Sequence, residues 1–257
     1  MINESYFWIL IFILVFPSLN LWSQEQRLPF TQGKVIINGV GNLNVEGYDG
    51  NEVIIMEMLY ELNRPDLSEG LKKMHSNKSD IEVEITHEIK GDELVIEAHG
   101  RAGRYHLKIP RQLDVAVKSH TGSYYYYDGL KNLNFKNIDG EIEVFADGSI
   151  DVNIEGAKGS MSIVTYGNIT VDFAALSPTG VYAFDTYLGH VNVALPRATA
   201  TSLQLRSKKG DIYSDLAIQM LRQDKKRKEI HAQTKGGGAT LMINAEAGGD
   251  IYLRAKD

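Results

Sequence analysis

Residues 139–156 read DGEIEVFADGSIDVNIEG. Two glycines, Gly140 and Gly148, each open a short run in which apolar and polar residues alternate. After the first come Ile142 and Val144 around Glu143; after the second come Val152 and Ile154 around Asn153. Successive side chains of an extended backbone point to opposite faces, so a period of two with one apolar side predicts a half-buried strand.

The unit recurs. TGSYYYYDGLKNLNFKNI begins at Thr121, KGSMSIVTYGNITVDFAALSP at Lys158, TGVYAFDTYLGHVNVALPRA at Thr179 and TSLQLRSKKGDIYSDLAIQM at Thr201. A worn copy, HAQTKGGGATLMINAEA, begins at His231, and the chain closes on GGDIYLRAKD from Gly248. Two glycine columns result: Gly122, Gly140, Gly159, Gly180, and Gly129, Gly148, Gly167, Gly189, Gly210. A two-strand unit of this length cannot bury its apolar face alone, but stacking the next unit beneath it can. Equivalent strands are therefore expected to lie parallel, about 4.8 Å apart. The glycines are expected to supply positive φ at the corners. Val152 faces inward and Asn153 outward on this pattern, and Tyr124 and Tyr126 inward with Tyr125 and Tyr127 outward.

The fold class is all-β. The reading is a β-solenoid, single-stranded and right-handed parallel β-helix-like, with an N-terminal antiparallel β region. A β-sandwich of short hairpins is the alternative, because turn signals every 8–12 residues also suit it. Residues 1–23 read as a signal peptide, 24–118 as the antiparallel region capping the solenoid, and 119–257 as repeats of some six coils. Within 24–118, IEVEITHEIKGDELVIEAHG reads as a hairpin turning at Gly91 and Asp92, which sets Ile85, His87 and Ile89 beside Leu94, Ile96 and Ala98. The polar stretch RPDLSEGLKKMHSNKSD reads as a partly helical insertion. The C-terminal GGDIYLRAKD is expected to form the last, open coil, with Arg254, Lys256 and Asp257 discouraging edge pairing.

Residues 7–16 are ten consecutive apolar residues, a run that suits a signal-peptide core and is short for a membrane span. Ser23 before Gln24 is the expected cleavage point, although no Lys or Arg precedes the core. The location expected is the periplasm or cell surface, with no stable membrane span after cleavage. There are no cysteines, so an exported chain relies on its core rather than on disulfides. The 257 residues carry a formal charge of -6, which does not suit nucleic acid.

The exported part resembles the bacterial "putative adhesin" β-strand-repeat family, a domain of unknown function similar to head domains of proposed autotransporter adhesins. The resemblance rests on GNLNVEGYDGNEVII, on HLKIPRQLDVAVKSHTG, and on the repeated G-x-I-x-V ending in GGDIYLRAKD. It implies a solenoid-like fold and an envelope location, and it brings no catalytic residues with it.

Chemistry is sparse. The seven histidines show no metal-ligand spacing. His87 is expected to be a packed core histidine, and Glu82, Glu84, Glu88 and Glu97 a solvated outer face. Asp151 and Asp172 fall at near-equivalent places in neighbouring units, the one hint of the acids of a carbohydrate-active β-helix enzyme. No catalytic residue, cofactor or metal is assigned. Two surfaces stand out for binding. Tyr125 and Tyr127, with Phe145 in the next unit, would form an outward aromatic stripe, against the plainer reading of a turned-in corner. Arg222, Lys225, Lys226, Arg227 and Lys228 would form a mobile basic loop able to meet an anionic partner. The function expected is a non-enzymatic envelope protein for surface interaction or adhesion, monomeric in isolation, whose partner is an envelope protein or glycan. The alternatives are a periplasmic accessory of envelope sensing and a carbohydrate-active enzyme.

Overall fold

A computed structural model describes residues 22–39, 42–58, 84–99, 104–120 and 131–257. In chain order the strands are β1 (Trp22–Pro29), β2 (Lys34–Gly39), β3 (Asn42–Tyr48), β4 (Glu52–Met58), β5 (Glu84–Lys90), β6 (Glu93–His99) and β7 (Arg104–Pro110). They continue with β8 (Asp114–His120), β9 (Lys131–Lys136), β10 (Ile142–Asp147), β11 (Ile150–Ala157), β12 (Met161–Thr165), β13 (Ile169–Phe173) and β14 (Val181–Thr186). The last are β15 (Val191–Pro196), β16 (Thr201–Ser207), β17 (Ile212–Ser214), β18 (Gln219–Asp224), β19 (Glu229–Thr234), β20 (Ala239–Ala245) and β21 (Ile251–Lys256). The described residues are all-β, without a helix.

The strands form two mixed open sheets. The first runs β1-β4-β7-β3-β9-β11-β13-β15-β21-β17 and the second β18-β19-β16-β20-β14-β12-β10-β8-β2-β6-β5. From β8 to β16 the chain alternates between the sheets, one strand to each per unit, so the stack is solenoid-like. Equivalent residues are in parallel register: Ile142 with Met161, Met161 with Tyr182, Val152 with Ile169, and Ile169 with Val191. All of these are buried, and their sequence neighbours face outward. The core is the slab between the two inner faces. Phe173 packs edge-on against Tyr182 at 4.9 Å and beside Phe184. Tyr182, wholly buried, donates its hydroxyl to the Lys158 carbonyl at 3.2 Å and accepts the Ser177 N–H at 2.9 Å.

The corner glycines have a different reason from the one expected. Positive φ occurs at Gly33, Gly39, Gly91, Gly156, Gly236, Gly237 and Gly248, and at none of the described column glycines. What the columns need is close approach. A Cβ on Gly159 would lie 2.0 Å from the carbonyl oxygen of Gly140, and one on Gly189 2.0 Å from that of Gly167. Thr165 and Thr186 complete these corners inside. Each donates its buried hydroxyl to a carbonyl of the neighbouring coil, Ile150 or Gly167, at 2.7 Å. Gly189→Ala is thus expected to cost about 3 kcal/mol, because the obstacle is backbone and cannot swing away. Gly91→Ala, at φ 65 with nothing within 4 Å, should cost about 1 kcal/mol of backbone strain alone. Denaturant midpoints of the two variants check this ordering.

Within 24–118, expected to be antiparallel, β2, β3, β6, β7 and β8 are in parallel register with the ladder. The antiparallel contacts are those of β4 with β1 and β7, and of β5 with β6. The insertion expected at 64–80 lies outside the described residues, as do residues 1–21.

The order of coils departs from the order of the chain at both ends. The β2–β3 coil sits between β6–β7 and β8–β9, and the β20–β21 coil between β14–β15 and β16–β17. The expected open C-terminal coil is therefore interior: β21 pairs in parallel with both β15 and β17, and Leu253 is buried. The device is the hairpin β18–β19, which lies antiparallel beyond β16. Lys235, Gly236 and Gly237, at φ 51, 86 and 88, then turn the chain back into the gap between β14 and β16.

Candidate functional site

Phe145 and Val164 lie in register on adjacent strands β10 and β12, facing outward, with Lys118 and Asp185 in register on either side. Tyr125 and Tyr127 lie outside the described residues. The structure adds partners that sequence reasoning missed. Tyr166 and Tyr187 stand at the next corner with ring centroids 5.2 Å apart, and Leu188 follows. Phe145, Val164, Tyr166, Tyr187 and Leu188 are each 40–56% exposed. Because Thr165 and Thr186 turn inward to hold the corner carbonyls, the residue after each must point out. The signal was present as a tyrosine one or two residues before the second glycine column, Tyr166 before Gly167 and Tyr187 two before Gly189.

The basic residues expected on a loop sit on a hairpin. Arg222 belongs to β18, and 225–228 is the tight turn of the β18–β19 hairpin. Asp224 closes the turn by accepting the N–H groups of Lys226 at 3.0 Å and Arg227 at 3.1 Å. Those bonds, that from Arg227 first, hold its carboxyl below the usual carboxylate range. His87 also departs from expectation. Its register with Ile96 is as drawn, but it is exposed, because among the described residues β5 is the edge strand and the core ends beside it.

The most extended feature lies on the outer face of the first sheet. One column of side chains crosses it strand by strand: His106, Asn44, Asn134, Asn153, Thr170, Asn192, Tyr252, Tyr213. Asn134 donates to Asn44 at 2.8 Å and Asn153 to Asn134 at 3.0 Å, so the amides lock into a ladder. The column ends on the stacked rings of Tyr252 and Tyr213, 5.2 Å apart and 10° from parallel. The Arg254 guanidinium lies 5.7 Å from the Tyr252 ring centre. Beside the amides runs a groove of ≈ 720 Å³. Along its wall His106 hydrogen-bonds Glu46 at 3.2 Å, while Lys136 pairs with Glu155 at 3.3 Å and Lys256 with Asp172.

The adjoining corner holds the coils in line. Asp151 accepts the N–H of Asn168, Asn168 that of His190, His190 Nδ1 that of Asp250, and Asp250 that of Asp211, at 2.8–2.9 Å. The bond from Asp211, then that from the Tyr252 hydroxyl, pulls the Asp250 carboxyl below its ordinary value. The same bond to Asp250 raises the Tyr252 phenol, and the nearby Asp211 charge raises that of Tyr213. Both hydroxyls thus stay neutral donors. Asp151 and Asp172 are not equivalent: β13 starts so that Asp151 meets Asn168, whereas Asp172 is in register with Glu155. Among the described residues no group of three or more metal-ligating side chains converges. Nor is any helix among them long and apolar enough to cross a membrane.

A line of planar amides, paired charges and stacked phenols can do two things chemically. It offers hydrogen bonds at every strand spacing along an extended polar ligand, and a flat apolar ring face at one end. The outward asparagines were legible as a polar face. The tyrosine pair was not, because Tyr213 and Tyr252 meet only through the exchanged order of the last two coils.

A family described as Toastrack DUF4097 matches residues 41–254. Solved structures similar to the chain include a "putative cell adhesion protein" from Clostridium sporogenes, at 14% identity over 91% of this chain and 99% of that one, with a TM-score of 0.37. A "putative lipid binding protein" from Parabacteroides distasonis is similar at 11% identity over 91% and 96%, TM-score 0.30. A "putative adhesin" from Bacteroides fragilis is similar at 9% identity over 90% and 96%, TM-score 0.26. No curated protein matches significantly.

Proposed function

This chain belongs to the Toastrack DUF4097 family, a domain of unknown function, and on that footing we propose that it is an exported, non-enzymatic interaction module of the cell envelope. Its ligand on this reading is an extended glycan laid along the outer face of the first sheet. The observation that carries the reading is the unbroken column from His106 to Tyr213, polar at each strand and closed by a stacked aromatic pair. The apolar run at residues 7–16 supports export, with processing near Ser23. The employment of Asp151, Asp172 and His190 in corner and ion-pair contacts supports a binding rather than a catalytic role. The winding is taken as that of a right-handed single-stranded solenoid, the hand that strand twist favours for crossovers between parallel strands of one sheet.

The test is binding of the processed protein to a panel of neutral and acidic oligosaccharides. Tyr252→Ala is expected to weaken the bound member on the order of tenfold by removing the ring platform. Phe145→Ala, on the opposite sheet, should leave binding unchanged. Absence of binding at millimolar ligand, or equal loss in both variants, would sink the reading.

A further inference from the structure

We propose that the protein assembles head to tail, the β18 edge of one copy pairing antiparallel with the β5 edge of the next. Among the described residues both are the outermost strands of the second sheet, at its two ends. An outermost strand keeps one row of backbone N–H and C=O groups free of ladder bonds, a template for another strand. The directions agree. β18 is antiparallel to β19 and β19 to β16, so β18 runs with the parallel strands of its sheet, whereas β5 runs against them. Stacking one copy on the next along a common axis therefore brings the two edges together as an antiparallel pair.

Charge selects this pairing over the others. The β18 edge and its turn expose Arg222, Lys225, Lys226, Arg227 and Lys228 against the single acid Asp224. On the β5–β6 hairpin Glu88 and Glu97 lie along the stretch that would meet β18, against the single base Lys90, itself paired with Glu88 at 2.8 Å, while Asp92 and Glu93 lie at the end away from the basic turn. Two β18 edges would join ends of like, basic net charge, and two β5 edges ends of like, acidic net charge. Only β18 with β5 brings opposite signs together, a device that gives specificity by penalising the wrong partner.

The apolar residues at the ends point the same way. Ile89 is in register with the buried Leu94, and Met220 with the buried Ala232, so both belong to the core side of their sheets. Yet they are 51% and 52% exposed, because the opposite sheet does not cover them; Leu221, at the adjoining bulge, is 58% exposed. The sheets also end in steps. Beyond β16 the second sheet continues through β19 and β18, while the first stops at β17; at the other end β4 and β1 extend the first sheet past β7, and only β5 extends the second past β6. The long side at one end meets the short side at the other. Such a contact uses two different surfaces and does not close on itself, so it builds a filament. A filament would repeat the glycan face at each copy, although the assembly itself needs no ligand.

Sedimentation velocity of the full chain, as processed by the producing cell, over rising concentration without ligand, tests this. Wild type is expected to grow beyond dimers and to dissociate as salt is raised. Glu88→Lys alone, and Arg222→Glu with Lys225→Glu alone, should each weaken association by about tenfold or more. Mixing the two variant proteins should restore it, because each then offers the end complementary to the other. All the substituted positions are exposed, and the salt arm needs no variant. A wild type that stays a single species throughout, variants that associate like wild type, or growth that stops at a dimer and ignores Glu88→Lys, would each overturn the proposal.

Discussion

A chain ending at Gly238 is expected not to fold. Residues 239–257 supply β20 and β21, each of which lies between two other strands of its sheet. Without them β14 faces β16, and β15 faces β17, across an empty rung of about 9.6 Å, twice the strand spacing. Neither gap can be bridged by a hydrogen bond. Leu241, Ile243, Ile251 and Leu253, all buried, leave the core with them. Each is worth about 1.5–3 kcal/mol on transfer from water, so the loss rivals the roughly 5–15 kcal/mol by which domains are stable. Were β21 the terminal coil, the same deletion would trim one end and leave the rest cooperative. Far-UV circular dichroism and the melting temperature of the truncated chain distinguish the two. A truncated protein that melts as the full chain does would refute the interior position of the last coil.

Val152→Asp should likewise abolish the folded state, whereas Asn153→Asp should lower stability by about 1 kcal/mol. Val152 is wholly buried between Leu133 and Ile169 of the neighbouring strands. A carboxyl there has no partner, and burying it costs several kcal/mol whether it stays ionised or takes up a proton. Asn153 is half-buried on the outer face, and the substitution loses one bond, the 3.0 Å donation to Asn134. Urea midpoints of the two variants measure the contrast, and equal midpoints would mean that the faces are assigned wrongly.

Much of the fold is legible in side-chain alternation. The inward positions Ile142, Val144, Val152, Ile154, Met161, Ile163, Val171 and Phe173 are all buried, as the period of two requires. The site is legible in part. Phe145 and Val164 do stand in register on the outside, but the tyrosines that extend their patch are hidden at the corners, where alternation gives way to turn geometry. His87 is misplaced for a related reason: alternation reports which side of its sheet a residue faces, and cannot report whether a second sheet reaches far enough to cover it.

What the sequence alone determined was the content of each rung and which of its faces is buried. These are local properties, set by side-chain alternation and by the spacing of residues small enough for corners to touch. What only the tertiary structure decided was the order in which the rungs lie. Parallel rungs offer one another the same aliphatic columns in the same register, as Leu241 shows by matching both Tyr182 and Leu203. Nothing in such a match prefers the next unit along the chain. The choice falls to long-range geometry: a hairpin that doubles back past β16, a glycine turn that re-enters the stack, and a gap that the last two strands close.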